Sequence, residues 1–182
     1  MLGAVDEPSR TVMLTLALTG LRPCELRGLR WEDFGGDQLN VSRSVWRTHV
    51  GETKTAGSTA PVPVVDVLKT ALLEHRKRVP ACDWIFAGEK LGRPLVLPNL
   101  YRRSIKAKLT KAGITWHGWY AFRRGTASIL NDLGVDDSVI QSILRHANVA
   151  TTQKHYIKVA SPQAAAAMRK LAQAFAKQGR RK

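Results

Sequence analysis

The chain has 182 residues, with 29 Lys and Arg against 14 Asp and Glu, a formal charge of +15 at pH 7. The length suits one domain with a real core or a large domain with a tail, and a hydrophobic share of 44% is ordinary for a globular protein, so disorder is not the default. So basic a chain repels itself when folded, which points to a polyanion as partner, nucleic acid ahead of a membrane surface because the charge is spread along the whole sequence.

No apolar run approaches the ~20 residues of a membrane span, and Met1 opens no signal peptide. Cys24 and Cys82 lie far apart and form no CxxC. They read as small buried residues of a reducing compartment, so the expected location is the cytoplasm.

Pro8-Ser9 followed by the apolar run Val12 to Leu18 predicts a buried helix over residues 8–19, closed by Gly20. Pro23 suits the first position of a second helix, with Arg22 at its mouth, where backbone N–H groups would favour an anion. Glu25 is in reach to orient a neighbouring arginine. Leu39 to Val45 alternates at period two and reads as a strand, His49 to Glu52 as a turn. Thr53-Lys54-Thr55 would lie on a second strand or at its end, with Lys54 at the hairpin, and Pro61 to Val65 would form a third, short edge strand. A solvated edge lysine is the plainer reading of Lys54.

Residues 66–79 read as a helix with Leu68, Ala71, Leu72 and Val79 on one side. A loop with Gly88, Gly92, Pro94 and Pro98 leads to a basic helix, about Asn99 to Lys111, fit to face DNA or solvent. After the aromatic loop Trp116-His117-Gly118-Trp119, helices are expected over Phe122 to Leu133 and from Asp136 or Asp137 onward, the latter burying Val139, Ile140, Ile143 and Leu144. A short helix over Thr151 to Lys158 would carry Tyr156. Ser161-Pro162 starts a last helix with Met168, Leu171, Ala172 and Phe175 on one stripe, free to dock on its own domain or on a neighbouring subunit. Gln178 to Lys182 reads as a frayed basic tail. The fold class is mainly α with a small antiparallel three-stranded sheet, α+β.

The sequence holds no Gly-rich phosphate loop, no HExxH and no carboxylate cluster suited to two metals, so no cofactor or metal is expected. What it holds is an ordered set between Tyr120 and Tyr156. Arg123 could grip a phosphate, His146 could bond a second oxygen, and Tyr156 could attack.

Five pieces in order carry a resemblance: Thr19-Gly20-Leu21-Arg22-Pro23-Cys24-Glu25-Leu26, Thr53-Lys54-Thr55, Phe122-Arg123-Arg124-Gly125-Thr126, Leu144-Arg145-His146, and Thr151-Thr152-Gln153-Lys154-His155-Tyr156. Together they resemble the tyrosine recombinases, or phage-type integrases, over nearly the whole chain. The resemblance implies a DNA breaking-rejoining catalytic domain over residues 1–177, and it implies that the helical DNA-clamping domain these proteins carry in front is absent from this chain. It makes Arg22 and Arg123 the phosphate-binding arginines, Lys54 a general acid towards the leaving 5′ oxygen, His146 a phosphate ligand and Tyr156 the nucleophile.

Two positions depart from the family pattern. Tyr120 stands where a histidine usually precedes the second arginine by three residues. Tyr156 falls one residue later than usual, where His155 takes the expected place. Double-stranded DNA is the implied partner and a tetramer on DNA the implied assembly, with the last helix as a candidate contact and a monomer when free. The rival readings are a type IB topoisomerase, a catalytically dead DNA-binding domain, and an unrelated basic helical protein whose five side chains would lie scattered.

Overall fold

The computed structural model describes residues 1–52, 61–90, 92–145 and 162–179. Helix α1, Ser9–Thr19, runs through the centre of the core. Val12, Met13, Leu16 and Leu18 are buried on it, and so are Thr11, Thr15 and Thr19. The threonines survive there because Thr15 and Thr19 donate to carbonyls one turn back, at 2.8 and 2.5 Å, and Thr11 Oγ1 donates to Glu7 Oε2 at 2.6 Å. Gly20 ends the helix at φ 62°, in the left-handed region where a Cβ is disfavoured. Helix α2, Pro23–Gly28, starts three residues later, with Arg22 as its N-cap.

The expected strand Leu39 to Val45 is broken in two: β1 spans Gln38–Leu39 and β2 spans Arg43–Trp46. The break is at Asp33. Its main-chain carbonyl accepts from Asn40 N–H at 2.9 Å, while its carboxylate accepts from Ser42 Oγ at 3.3 Å and Arg43 Nη1 at 2.7 Å. Residues 40–42 therefore bend around one aspartate instead of extending. The expected turn over His49 to Glu52 is instead strand β3, His49–Glu52, paired antiparallel with β2; Arg47, at φ 54°, makes the turn two residues earlier. Strand β4, Val62–Pro63, pairs antiparallel with β1. The described residues thus form two two-stranded ladders rather than one three-stranded sheet, and the expected second strand at Thr53 to Thr55 lies outside them.

Arg27 fastens the β2–β3 hairpin to α2, donating to Val45 O at 2.9 Å, Arg47 O at 2.7 Å and Leu95 O at 2.7 Å. Helix α3, Asp66–Arg78, buries Leu68, Leu72 and His75, the last with Nε2 2.8 Å from Ile85 O. Cys24 and Cys82 are both free thiols, half-buried rather than buried. The basic helix is α4, Leu97–Leu100, continued through a π-helical turn, Tyr101–Ile105, into α5, Lys106–Lys111.

Tyr101, Trp116, Trp119 and Phe122 then pack ring to ring, Tyr101 stacking on Trp116 at 4.9 Å. This cluster anchors the start of helix α6, Tyr120–Asp132, two residues earlier than expected. Thr126 Oγ1, 2.9 Å from both Ala17 O and Phe122 O, pins α6 to α1.

Helix α7, Asp137–Leu144, buries Ile140, Ile143 and Leu144 and ends at Arg145 in the left-handed region, φ 54°. Helix α8, Pro162–Gly179, extends beyond the expected start of the tail. Its stripe is spent on its own domain: Ala164, Ala167, Met168 and Leu171 are buried and Phe175 is partly buried, against α1, α6, α7 and β4.

Candidate functional site

The end of α1, the mouth of α2, the first turn of α6 and the end of α7 meet at one place, and three arginines meet with them. Arg123 projects inward from α6 and is 7% exposed. Its Nη1 donates to Gly20 O at 2.6 Å and its Nη2 donates to Leu144 O. Gly20 closes α1 and Leu144 is the last residue of α7, so the guanidinium sits between two helix C-termini, where the dipoles favour a cation. A guanidinium has five N–H donors, so these two bonds leave others for a ligand. Burial, and then the neighbouring Arg22 charge, push the Arg123 pKa down to about 10. Arg123 is still charged at neutral pH, in surroundings that an anion would improve.

Arg22 is partly exposed. Its Nη1 donates to Glu25 Oε1 at 2.6 Å and its Nη2 to Arg145 O at 3.3 Å. At the mouth of α2 the Arg22 N–H is already taken: Glu25 Oε2 accepts from it at 2.8 Å and caps the helix. Glu25, as expected, orients an arginine, and it orients two, because Oε2 also accepts from Arg145 Nη2 at 2.7 Å. Arg145 is buried. Sequence reasoning quotes it inside a motif but gives it no task. The signal for it would have been a long basic side chain at a helix end where glycine is the easy choice.

Tyr120 opens α6 on the same side and is 51% exposed. Burial and the nearby Cys24 raise its pKa above the ordinary phenol value, with Arg22 and Arg123 opposing. It therefore stays a neutral hydroxyl around pH 7, able to donate a hydrogen bond but not to act as a base. The Cys24 thiol is likewise pushed up, chiefly by burial and then by Glu25.

Of the six residues expected at the site, the structure brings Arg22, Tyr120 and Arg123 together. Lys54, His146 and Tyr156 lie outside the described residues. Among the described residues no group of three or more His, Cys, Asp or Glu could hold a metal ion. A cavity of about 920 Å³ lies elsewhere, lined by Arg27, Trp84, Val96 and Arg103 among others.

The phage integrase family model matches residues 2–162. A tyrosine recombinase XerC-like protein of Caldanaerobacter subterraneus subsp. tengcongensis is 29% identical over 170 residues, covering 78% of this chain and 43% of that protein. Tyrosine recombinase XerA of Pyrococcus furiosus is 28% identical over 148 residues, covering 79% of this chain and 48% of that protein. The chain thus spans less than half the length of these relatives.

Among solved structures, the Tn1549 transposon integrase in complex with circular intermediate DNA matches with a TM-score of 0.70 at 20% identity, over 93% of this chain and 63% of that one. The XerA recombinase matches with a TM-score of 0.65 at 24% identity, over 96% of this chain and 59% of that one. These likenesses establish the fold, mostly helical with small antiparallel sheets. With the family model covering nearly the whole length, the chain belongs to the phage integrase family of tyrosine recombinases.

Proposed function

We propose that the chain is the catalytic domain of a site-specific DNA recombinase, which breaks and rejoins strands through a phosphotyrosine. Tyr156 attacks a backbone phosphorus; the P–O bond to the 5′ oxygen breaks, and a 3′-phosphotyrosyl link and a free 5′-hydroxyl result. Lys54 supplies the proton to that 5′ oxygen. The 5′-hydroxyl of a second strand then attacks the link and releases the tyrosine. Each step exchanges one phosphoester for another, so resealing needs no outside energy source. His146 and the Tyr120 hydroxyl donate to phosphate oxygens, while Arg22 and Arg123 carry the charge.

The observation that carries this reading is the arginine pocket. Far apart in sequence, Arg22 bonds Glu25 and Arg145 O while Arg123 bonds Gly20 O and Leu144 O, so the two guanidinium groups meet at the end of α7, and both keep donors for a ligand. A phenol of ordinary pKa is about 4 kcal/mol short of ionisation at pH 7, and two guanidinium groups at the phosphorus can offset much of that by stabilising phenolate and transition state. The DNA-bound Tn1549 integrase supports DNA as the partner. Acting on DNA puts the protein in the cytoplasm. A tetramer on DNA remains part of the proposal, but the α8 stripe already faces its own core, so other surfaces would make the contacts.

The test is a nicked DNA duplex carrying the recombination site, incubated with the protein and run on a denaturing gel. The wild type should leave a covalent adduct and Tyr156→Phe none, with DNA binding unchanged. An adduct that persists in Tyr156→Phe would remove that residue as nucleophile. One observation favours a second reading, a DNA-binding domain impaired in chemistry. Tyr120 replaces the usual histidine, and its raised pKa denies it a base's role. Absence of any adduct with the wild type, alongside tight binding, would select that reading.

A further inference from the structure

Arg145 is a charged residue in the pocket to which the proposed reaction gives no task. Its side chain is 1% exposed, and its Nε and Nη1 are buried without a hydrogen-bond partner among the described residues. Burying a guanidinium with unmet donors is unfavourable. Its backbone is also in the left-handed region, where glycine would sit without strain. If the end of α7 needed only to turn, glycine would turn it better.

Glu25 supplies the reason for an arginine. One carboxylate stands among three cationic or N–H partners: Oε1 meets Arg22 Nη1, while Oε2 meets Arg145 Nη2 and the Arg22 amide. With Arg145 in place, the charge of Glu25 is divided between two guanidinium groups. Without it, the whole carboxylate charge would fall on Arg22, fold its side chain onto α2 and cancel the charge meant for the ligand. The main chain of Arg145 adds a second restraint, since its carbonyl accepts from Arg22 Nη2 at 3.3 Å.

We propose that Arg145 is a positioning residue: it holds Glu25 from behind, so that Arg22 is oriented towards the pocket and keeps its charge available to a phosphate. The proposal rests on Arg22 and Arg123 being phosphate ligands. Arg145 itself touches no substrate.

The test uses inorganic phosphate as the probe. Its dissociation constant is read from the shift in thermal midpoint, with chloride at matched ionic strength as the reference. Arg145→Met keeps the bulk and removes the charge, and it should weaken phosphate binding about tenfold. Arg145→Lys restores the charge and one donor to Glu25, and it should return the affinity to within about threefold of wild type. Should Arg145→Met not fold, Arg145→Gly relieves the positive φ and carries the same prediction.

Wild-type affinity in Arg145→Met, or in Arg145→Gly if that variant has to stand in, would overturn the proposal. So would an Arg145→Lys protein as weak as Arg145→Met. Arg22→Ala separates the two levels. If it weakens phosphate binding while removal of the Arg145 charge does not, the positioning role alone fails. If it leaves phosphate binding unchanged, the phosphate pocket fails, and this proposal with it.

Discussion

Arg123 is held by oxygens of the main chain on two different helices, and that makes its shape matter as much as its charge. Lysine would keep the charge but could not span Gly20 O and Leu144 O and still present donors outward. Arg123→Lys should therefore cut single-turnover DNA cleavage by about 10²–10³, while the folded protein keeps most of its DNA affinity. Cleavage at the wild-type rate would show that only the charge is needed. The pairing of Arg22 with Glu25 was legible in the sequence because one motif places the two residues three apart. Arg145 was not, because its partner lies far away in the chain on α2, and no local pattern announces such a pair. The carboxylate that orients Arg22 also takes its amide at the helix end, which no local pattern had announced.

Helices were legible as elements because apolar residues recur at their period and prolines and glycines mark their ends. The strands were less so. Asp33 bends residues 40–42 out of an alternating run, and Arg47 takes the turn without glycine's help; neither event changes the hydrophobic pattern. The joint between α1 and α2 is demanding because of its backbone. A Cβ on Gly20 would stand 2.5 Å from Leu144 Cδ2, at a φ of 62° that side chains avoid. Leu144 could swing aside, but its carbonyl is one of the two that hold Arg123. Gly20→Ala should lower stability by about 1–3 kcal/mol, measured by denaturant unfolding, and weaken phosphate binding as well. A stability loss with unchanged phosphate affinity would show that the joint serves only folding.

At the scale of the whole molecule, charge and burial set how the fold responds to its solution. A chain of +15 that contacts several phosphates should lose DNA affinity steeply with salt, with a slope of about −0.9 per contact on a log–log plot. On the far side of the core, His75 packs near Trp31 and Phe86, and burial holds its pKa below the ordinary value, with the Ile85 carbonyl opposing. The folded state therefore keeps it neutral while the unfolded chain takes up a proton. Stability should fall as pH drops from about 7 towards 5, and His75→Phe should flatten that slope in thermal melts. An equal slope in the variant would place the acid sensitivity elsewhere.

The acceptors that hold Arg22 and Arg123 against the end of α7 are peptide oxygens, and a point substitution cannot delete a peptide oxygen. The side chain at 144 can change identity while the two hooks persist, provided the chain keeps its path. Part of what orients the two arginines is thus inherited with the fold, and a lesion that reroutes the backbone would remove it without touching any arginine.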